Sequence, residues 1–127
     1  DDMKQLLAAV LAISAGFAFA SPTSPPVRAE IEALLARLES SGCQFHRNGS
    51  WHSPAEARSH LLRKLEYIED RGTVQSAEQF IEIAASKSSW SGKPYSVQCG
   101  AEAAVDSQQW LRRQLAIFRA SGAKPKP

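Results

Sequence analysis

The sequence of 127 residues has little that would let it cross a membrane or carry out a familiar reaction. Its longest apolar stretch covers residues 6–19 only, whereas a transmembrane helix needs about 20 apolar residues. It also has no Gly-x-x-x-x-Gly-Lys-Ser/Thr phosphate loop and no Gly-x-Ser-x-Gly nucleophile elbow. These absences remove the usual signatures of nucleotide-binding proteins and serine hydrolases, and we find no internal repeat.

The chain has no strong excess of charge of either sign. Its 15 basic and 13 acidic residues give a formal net charge of +2 with neutral histidines, and they are spread along the sequence. Proteins that bind nucleic acids usually concentrate basic and aromatic residues in one patch or stripe. We therefore expect no nucleic-acid partner.

The N-terminal segment has the pattern of a secretory signal peptide. Lys4 supplies a positive start, residues 6–17 form a short apolar run, and Ala18-Phe19-Ala20 has the small residues that signal peptidase prefers. We predict a signal peptide at residues 1–20, a flexible leader at 21–26 and no membrane span in the exported remainder. Asp1 and Asp2, which precede Met3, do not fit this pattern.

Only two cysteines are present, Cys43 and Cys99, and both lie in the part that we expect to be exported. In an oxidising compartment such a pair usually forms a disulfide. The bridge would close a loop of about 56 residues, which corresponds to roughly 4 kcal/mol of stabilisation by loop entropy.

The spacing of apolar residues after the predicted signal peptide predicts an α+β fold. About four helices would pack on a small antiparallel ribbon of two or three strands, in one domain at residues 27–122 with a tail at 123–127. Helices are predicted at residues 27–41, 53–71, from 76 and from 106 or 107 to about 122, and strands at 43–47, 95–99 and weakly at 103–105. Ser53, Pro54 and Glu56 form a capping-box start for the second helix.

The expected disulfide also predicts how the two longer strands pair. Cys43 opens the first strand and Cys99 closes the second, so the strands would be antiparallel, with Phe45 near Val97. The same register brings the Asn48-Gly49 turn and the Ser-rich loop at residues 86–94 to one end of the ribbon. Polar groups from distant parts of the sequence would then meet there.

Each polar group at this end has a functional and a purely structural interpretation. Arg47 and Asn48 could contact a ligand or simply form a turn. His60 and Lys64 share a helix face, so His60 could be a base or a hydrogen-bonded surface histidine. The Ser-rich loop could hold a phosphate or sugar oxygen, or its hydroxyls could satisfy its own backbone.

A metal site is not expected. Cys43, His46, His52 and His60 include a Cys-x-x-His spacing that zinc could use, but the remaining spacing is irregular and a disulfide would occupy Cys43. No cofactor is implied either. The tryptophans are expected to pack in or beside the core, although an exposed Trp51 or Trp90 would suggest a platform for a carbohydrate or a peptide.

Four segments resemble the YfeK-like family of small exported bacterial proteins, which has no assigned function. They are FHRNG at residues 45–49, ARSHLLRK at 57–64, AEQFI at 77–81 and ASKSSWSGKPY at 85–95. The resemblance covers nearly all of the chain after the signal peptide and implies the periplasm of a Gram-negative bacterium. It implies no activity, cofactor or catalytic residue.

We therefore expect a periplasmic module that binds an envelope component or a partner protein, with a preference for an anionic group. The candidate surface consists of Arg47, Asn48, His60, Lys64, Ser89, Lys93 and Tyr95. One alternative is an envelope hydrolase or transferase that uses His60 with a serine from residues 86–91. A second alternative is an inhibitor of a secreted enzyme, which would present a protruding loop.

Overall fold

A computed structural model describes residues 23–122 of the chain. The predicted signal peptide at residues 1–20 and the predicted tail at 123–127 lie outside the described residues. Within the described part, no helix is both long enough and apolar enough to cross a membrane.

The fold is α+β, as predicted, with four helices and a four-stranded antiparallel sheet in the described residues. The helices are α1 (Pro25–Ser40), α2 (Pro54–Glu69), α3 (Ala77–Ala84) and α4 (Ser107–Ala120). The strands are β1 (Gln44–Arg47), β2 (Ser50–His52), β3 (Ser96–Gln98) and β4 (Val105–Asp106).

Side-chain caps fix the start of two helices. The Ser53 hydroxyl accepts a hydrogen bond from the Glu56 backbone N–H, and the Glu56 carboxylate accepts one from the Ser53 N–H, which is the predicted capping box. The Ser76 hydroxyl accepts from the Gln79 N–H at the start of α3. These contacts satisfy backbone donors that have no partner inside a helix.

The predicted leader is wrong for its last residues. Helix α1 begins at Pro25, with Ser24 at the N-cap position, and Thr23 is buried and forms a parallel bridge with Val74. Proline suits the first helical position because its missing N–H would have no partner there anyway. The Ser24-Pro25 pair therefore begins a helix within the segment that the sequence predicts to be flexible.

The sheet has the order β2-β1-β3-β4, and its central register is the predicted one. Phe45 pairs with Val97 in the antiparallel β1–β3 ladder, and Cys43 and Cys99 form the disulfide just beyond it. The extra strand, β2, arises because Asn48 and Gly49 both have positive φ and so close a two-residue hairpin. The strand at Ser50–His52 is not among the strands predicted from the sequence.

One hydrophobic core lies between the helices and one face of the sheet. Helix α2 contributes Ala57, Leu61 and Leu65, which lie on its buried face, and the Phe45 and Tyr95 rings pack 5.0 Å apart on the sheet below. This packing fixes α2 above the end of the β1–β3 ribbon. The other large buried side chains include Ile31, Leu34, Leu35, Leu38, Phe80, Ile81, Val97, Leu111 and Leu115.

Candidate functional site

The hairpin turn and the Ser-rich loop meet at one end of the ribbon, as the register predicted. The Asn48 Nδ2 donates a hydrogen bond to Ser88 Oγ at 3.2 Å, and Ser91 Oγ donates to Asn48 Oδ1 at 2.6 Å. These contacts join segments that are about forty residues apart in the sequence. They hold the turn and the loop as one unit.

Most serine hydroxyls of this loop form hydrogen bonds to other groups of the protein. Ser88 Oγ accepts from the backbone N–H groups of Trp90 and Ser91, and Ser86 Oγ donates to the Ile81 carbonyl near the end of α3. These two hydroxyls therefore satisfy backbone groups, which is the structural role that the sequence allowed for the Ser-rich loop. Ser89 differs, since it is exposed and faces the cleft described below.

Tyr95 connects the loop to α2. Its ring is only 2% exposed, and its Oη lies 3.2 Å from His60 Nε2 and 3.1 Å from Lys64 Nζ. Lys64 Nζ also donates to the Lys87 carbonyl at 3.2 Å. Because an ammonium can only donate, Tyr95 Oη accepts from Lys64 and can donate its own proton to His60 Nε2.

Burial and neighbouring charges set the protonation of these groups. Desolvation, reinforced by the charges of Arg47 and Lys64, lowers the pKa of His60 from 6.5 to about 4. Desolvation and the charge of Arg47 lower the pKa of Lys64 from 10.5 to about 8, and burial raises the pKa of Tyr95. At neutral pH the site therefore holds a neutral imidazole, a neutral phenol and a mostly charged ammonium.

Three cations at this end have no acidic partner. No carboxylate of residues 23–122 lies within ion-pair distance of Arg47, Arg63 or Lys64. Four of the other arginines are paired with carboxylates: Arg28, Arg58, Arg112 and Arg119. Arg37, Arg71 and Arg113 have no carboxylate of residues 23–122 within ion-pair distance either. What distinguishes Arg47, Arg63 and Lys64 is that all three lie at one cavity.

These cations line an open cleft of about 440 Å³, which we call the basic cleft. It lies between α2, the end of α3, the hairpin turn and the Ser-rich loop. Six of the seven predicted site residues line it, and Lys93 does not. The lining residues are Arg47, Asn48, His60, Arg63, Lys64, Tyr67, Ile68, Ile83, Ser88, Ser89, Trp90 and Tyr95.

The rim of the basic cleft is apolar and exposed to solvent. Trp90 is 90% exposed, Tyr67 is 60% exposed and Ile83 is 48% exposed. The Arg71 guanidinium lies 3.5 Å from the centre of the Tyr67 ring and holds that ring in place by a cation–π contact. Large apolar side chains that are exposed together beside a cavity are typical of interaction sites.

Three residues of the cleft, Arg63, Tyr67 and Ile83, are not part of the surface predicted from the sequence. A signal was present for the first two, because Arg63 and Tyr67 lie three and seven residues after His60 and so share its face of α2. For Ile83 there was no such signal, because an apolar residue of an amphipathic helix is expected to face the core. Ile83 lies beside the buried stripe formed by Phe80, Ile81 and Ala84, and it faces the cleft instead.

The features required for serine or metal chemistry are not assembled in the described residues. The hydrogen-bond partner of His60 Nε2 is Tyr95, and no serine hydroxyl among residues 23–122 is bonded to the His60 ring. Cys43 is bonded to Cys99, and no cluster of three metal-ligating side chains occurs in the same range.

Comparison with known proteins gives a family but no activity. A family model described as a family of unknown function (DUF5329) matches residues 25–119. The chain is 38% identical over 94 residues to an uncharacterized protein, YfeK, of Salmonella typhimurium, and the match covers 73% of this chain and 77% of that protein. No solved structure matches the chain. The predicted resemblance is thus confirmed. The chain belongs to the DUF5329 family, whose model covers the fold from the start of α1 into α4.

Proposed function

We propose that the protein is a binding module of the bacterial cell envelope that recognises an anionic ligand in the basic cleft. The observation that carries this proposal is the set of three cations, Arg47, Arg63 and Lys64, with no carboxylate of the described chain within ion-pair distance. Arg47 and Lys64 are partly buried and so lose hydration, and the three like charges repel each other. An anion bound between them would reduce the repulsion and would replace the lost hydration.

The rim adds a second requirement for the ligand. Tyr67, Ile83 and Trp90 surround the cations with exposed apolar surface. A ligand with an apolar or aromatic group next to its anionic group would bury this surface while its charge meets the cations. Inorganic phosphate alone would use only the charged part of the cleft.

Binding accounts for the site better than catalysis does. A general base needs a nucleophile or water to deprotonate, yet His60 Nε2 lies 3.2 Å from the buried Tyr95 hydroxyl and no serine hydroxyl of residues 23–122 is bonded to the ring. The hydroxyls of Ser86, Ser88 and Ser91 are held in hydrogen bonds to α3, to the loop backbone and to Asn48, respectively. The hydrolase and inhibitor alternatives remain predictions without an observation that favours them.

An exported location supports the same interpretation. The Cys43–Cys99 disulfide is typical of oxidising compartments, and residues 1–20 have the pattern of a signal peptide. We infer that the protein works in the periplasm, where the basic cleft would meet envelope components and other exported proteins.

Titration of the isotope-labelled protein with sodium benzoate, followed by amide NMR shifts, tests this proposal. Benzoate joins a carboxylate to an aromatic ring, so we expect saturable shifts at Lys64, Trp90 and Tyr95. The Arg47→Ala/Arg63→Ala variant should weaken binding at least about tenfold, since hydrogen bonds between charged groups contribute roughly 1.5–3 kcal/mol.

The matched control is Arg112→Ala/Arg113→Ala, which removes the same charge from α4, outside the cleft. It should leave the benzoate shifts unchanged, and sodium phosphate should bind more weakly than benzoate. If neither anion produces saturable shifts at the cleft, or if both double variants weaken binding equally, the proposal is wrong.

A further inference from the structure

A second cavity continues the basic cleft along α2. It has a volume of about 390 Å³ and lies between the N-terminal half of α2 and the β1–β2 hairpin. Arg47, His60 and Arg63 line both cavities, so the two spaces adjoin at these side chains. Together they form one groove, which we call the α2 groove.

The length of the α2 groove follows from helix geometry. Its α2 lining begins at Ala55 in the second cavity and reaches Tyr67 and Ile68 in the basic cleft. A rise of 1.5 Å per residue places Ala55 and Tyr67 about 18 Å apart along the helix axis. An extended peptide rises about 3.3 Å per residue, so the groove has room for about five peptide residues.

The two ends and the middle of the α2 groove differ in chemistry. The middle has Arg47 and Arg63, which line both cavities, and one end has the exposed Trp90 ring. The other end has His52 Nδ1 3.7 Å from the Glu56 carboxylate, so it is polar and carries the negative charge of that carboxylate. Charge complementarity therefore requires a ligand with its negative group in the middle and an apolar group towards Trp90.

We infer that the α2 groove binds an extended acidic segment of a partner protein, with an Asp or Glu side chain at Arg47 and Arg63 and an adjacent apolar side chain at Trp90. This inference rests on the proposed function and names its ligand. Tryptophan, tyrosine and arginine are the residues most enriched where protein partners bind tightly, and all three surround this groove. The partner's negative charge supplies the counterion that Arg47 and Arg63 lack within ion-pair distance in the described chain.

The test begins with selection from a random heptapeptide display library on the disulfide-bonded protein. Selected peptides should carry Asp or Glu next to an aliphatic or aromatic residue. Labelled synthetic versions are then measured by fluorescence anisotropy against the protein and against Ser59→Tyr. Ser59 lies on α2 and lines the second cavity only, so a tyrosine there should obstruct that half of the groove.

We expect Ser59→Tyr to weaken the full-length peptide at least about tenfold while it leaves benzoate binding unchanged. Truncation of the peptide to its acidic and apolar residues should remove this sensitivity. The matched control is Gln109→Tyr, which adds the same ring to an exposed position on α4 outside both cavities, and it should bind like the unsubstituted protein.

Three outcomes would overturn the inference while the proposed function stands, provided that benzoate still binds. The library could yield no enrichment, or enrich peptides without acidic residues. Ser59→Tyr could leave peptide affinity unchanged. An array of anionic oligosaccharides could be bound when the peptides are not, and the ligand would then be a glycan. Loss of benzoate binding as well would remove both proposals.

Discussion

Replacement of Lys64 by methionine should make the protein more stable at neutral pH and a weaker binder of anions. Lys64 is half-buried beside Arg47, and both burial and that charge lower its pKa from 10.5 to about 8. The folded state therefore holds the ammonium less favourably than the unfolded chain does. Methionine has a similar length, has no charge to desolvate and can pack beside the Tyr95 ring.

The size of the effect follows from the pKa. The fall from 10.5 to about 8 corresponds to at most about 3 kcal/mol at 1.36 kcal/mol per pH unit. Solvent screens a half-exposed group, so we expect about 1 kcal/mol in favour of Lys64→Met at pH 7. The lost hydrogen bonds from Lys64 to Tyr95 and to the Lys87 carbonyl oppose this gain, and the reduction from about 3 to about 1 kcal/mol allows for them as well.

The pH dependence has a definite sign. Between pH 8 and 10.5 the unfolded chain binds more protons at Lys64 than the folded protein does, so the unsubstituted protein gains stability as the pH rises. The advantage of Lys64→Met should be constant below about pH 8 and should shrink above it. Subtraction of the two stability curves cancels the other groups that titrate in this range.

Urea unfolding followed by far-UV circular dichroism at pH 7, 8, 9 and 10 measures this difference. Lys93→Met is the control, because it removes a charge from an exposed side chain outside the basic cleft, and it should change stability by less than about 0.5 kcal/mol. The reasoning is refuted if Lys64→Met is less stable than the unsubstituted protein at pH 7, or if the difference between them does not change from pH 8 to 10.

Three further predictions concern stability. Cys43→Ala/Cys99→Ala should lower the free energy of unfolding by about 4 kcal/mol, because the unfolded chain regains a loop of 56 residues; urea unfolding that shows less than about 1 kcal/mol would contradict this. The unsubstituted protein should lose about 1 kcal/mol more than His60→Gln between pH 6.5 and 4, since the depressed pKa of His60 favours its neutral form in the folded state and solvent screens part of the effect; parallel pH–stability curves would exclude this. Tyr95→Phe should cost about 1–2 kcal/mol by removing the hydroxyl between His60 and Lys64, and an unchanged melting temperature would show that these bonds contribute nothing.

The sequence predicted those parts of the fold that a local rule or a covalent constraint determines. The Ser53 and Ser76 caps were readable because a cap needs a particular residue type at a particular spacing. The pairing of Phe45 with Val97 was readable because the disulfide and the alternation of strand side chains together leave one register. That register also placed Asn48 beside the Ser-rich loop.

Other parts of the fold and of the cleft depend on tertiary contacts, which a local sequence pattern does not predict. Strand β2 has three residues, which is too short for a recognisable alternation, and only its pairing with β1 makes it a strand. The Ser-Pro start of α1 has the same composition as a flexible leader. The direction in which Ile83 and Trp90 point depends on how α3 and the loop pack against α2, so the apolar rim of the cleft could not be foreseen.

The solvent exposure of Trp90 gives the protein an intrinsic optical reporter. The indole emission of a tryptophan shifts to shorter wavelength when water is removed from around it, and Trp90 stands almost wholly in water at the edge of the basic cleft. Trp110 is buried in the core, so its emission should stay constant as long as the fold is intact. Trp51 is 45% exposed but lines neither cavity, so a ligand that covers the cleft should be detected, without a label, as a blue shift of the Trp90 emission.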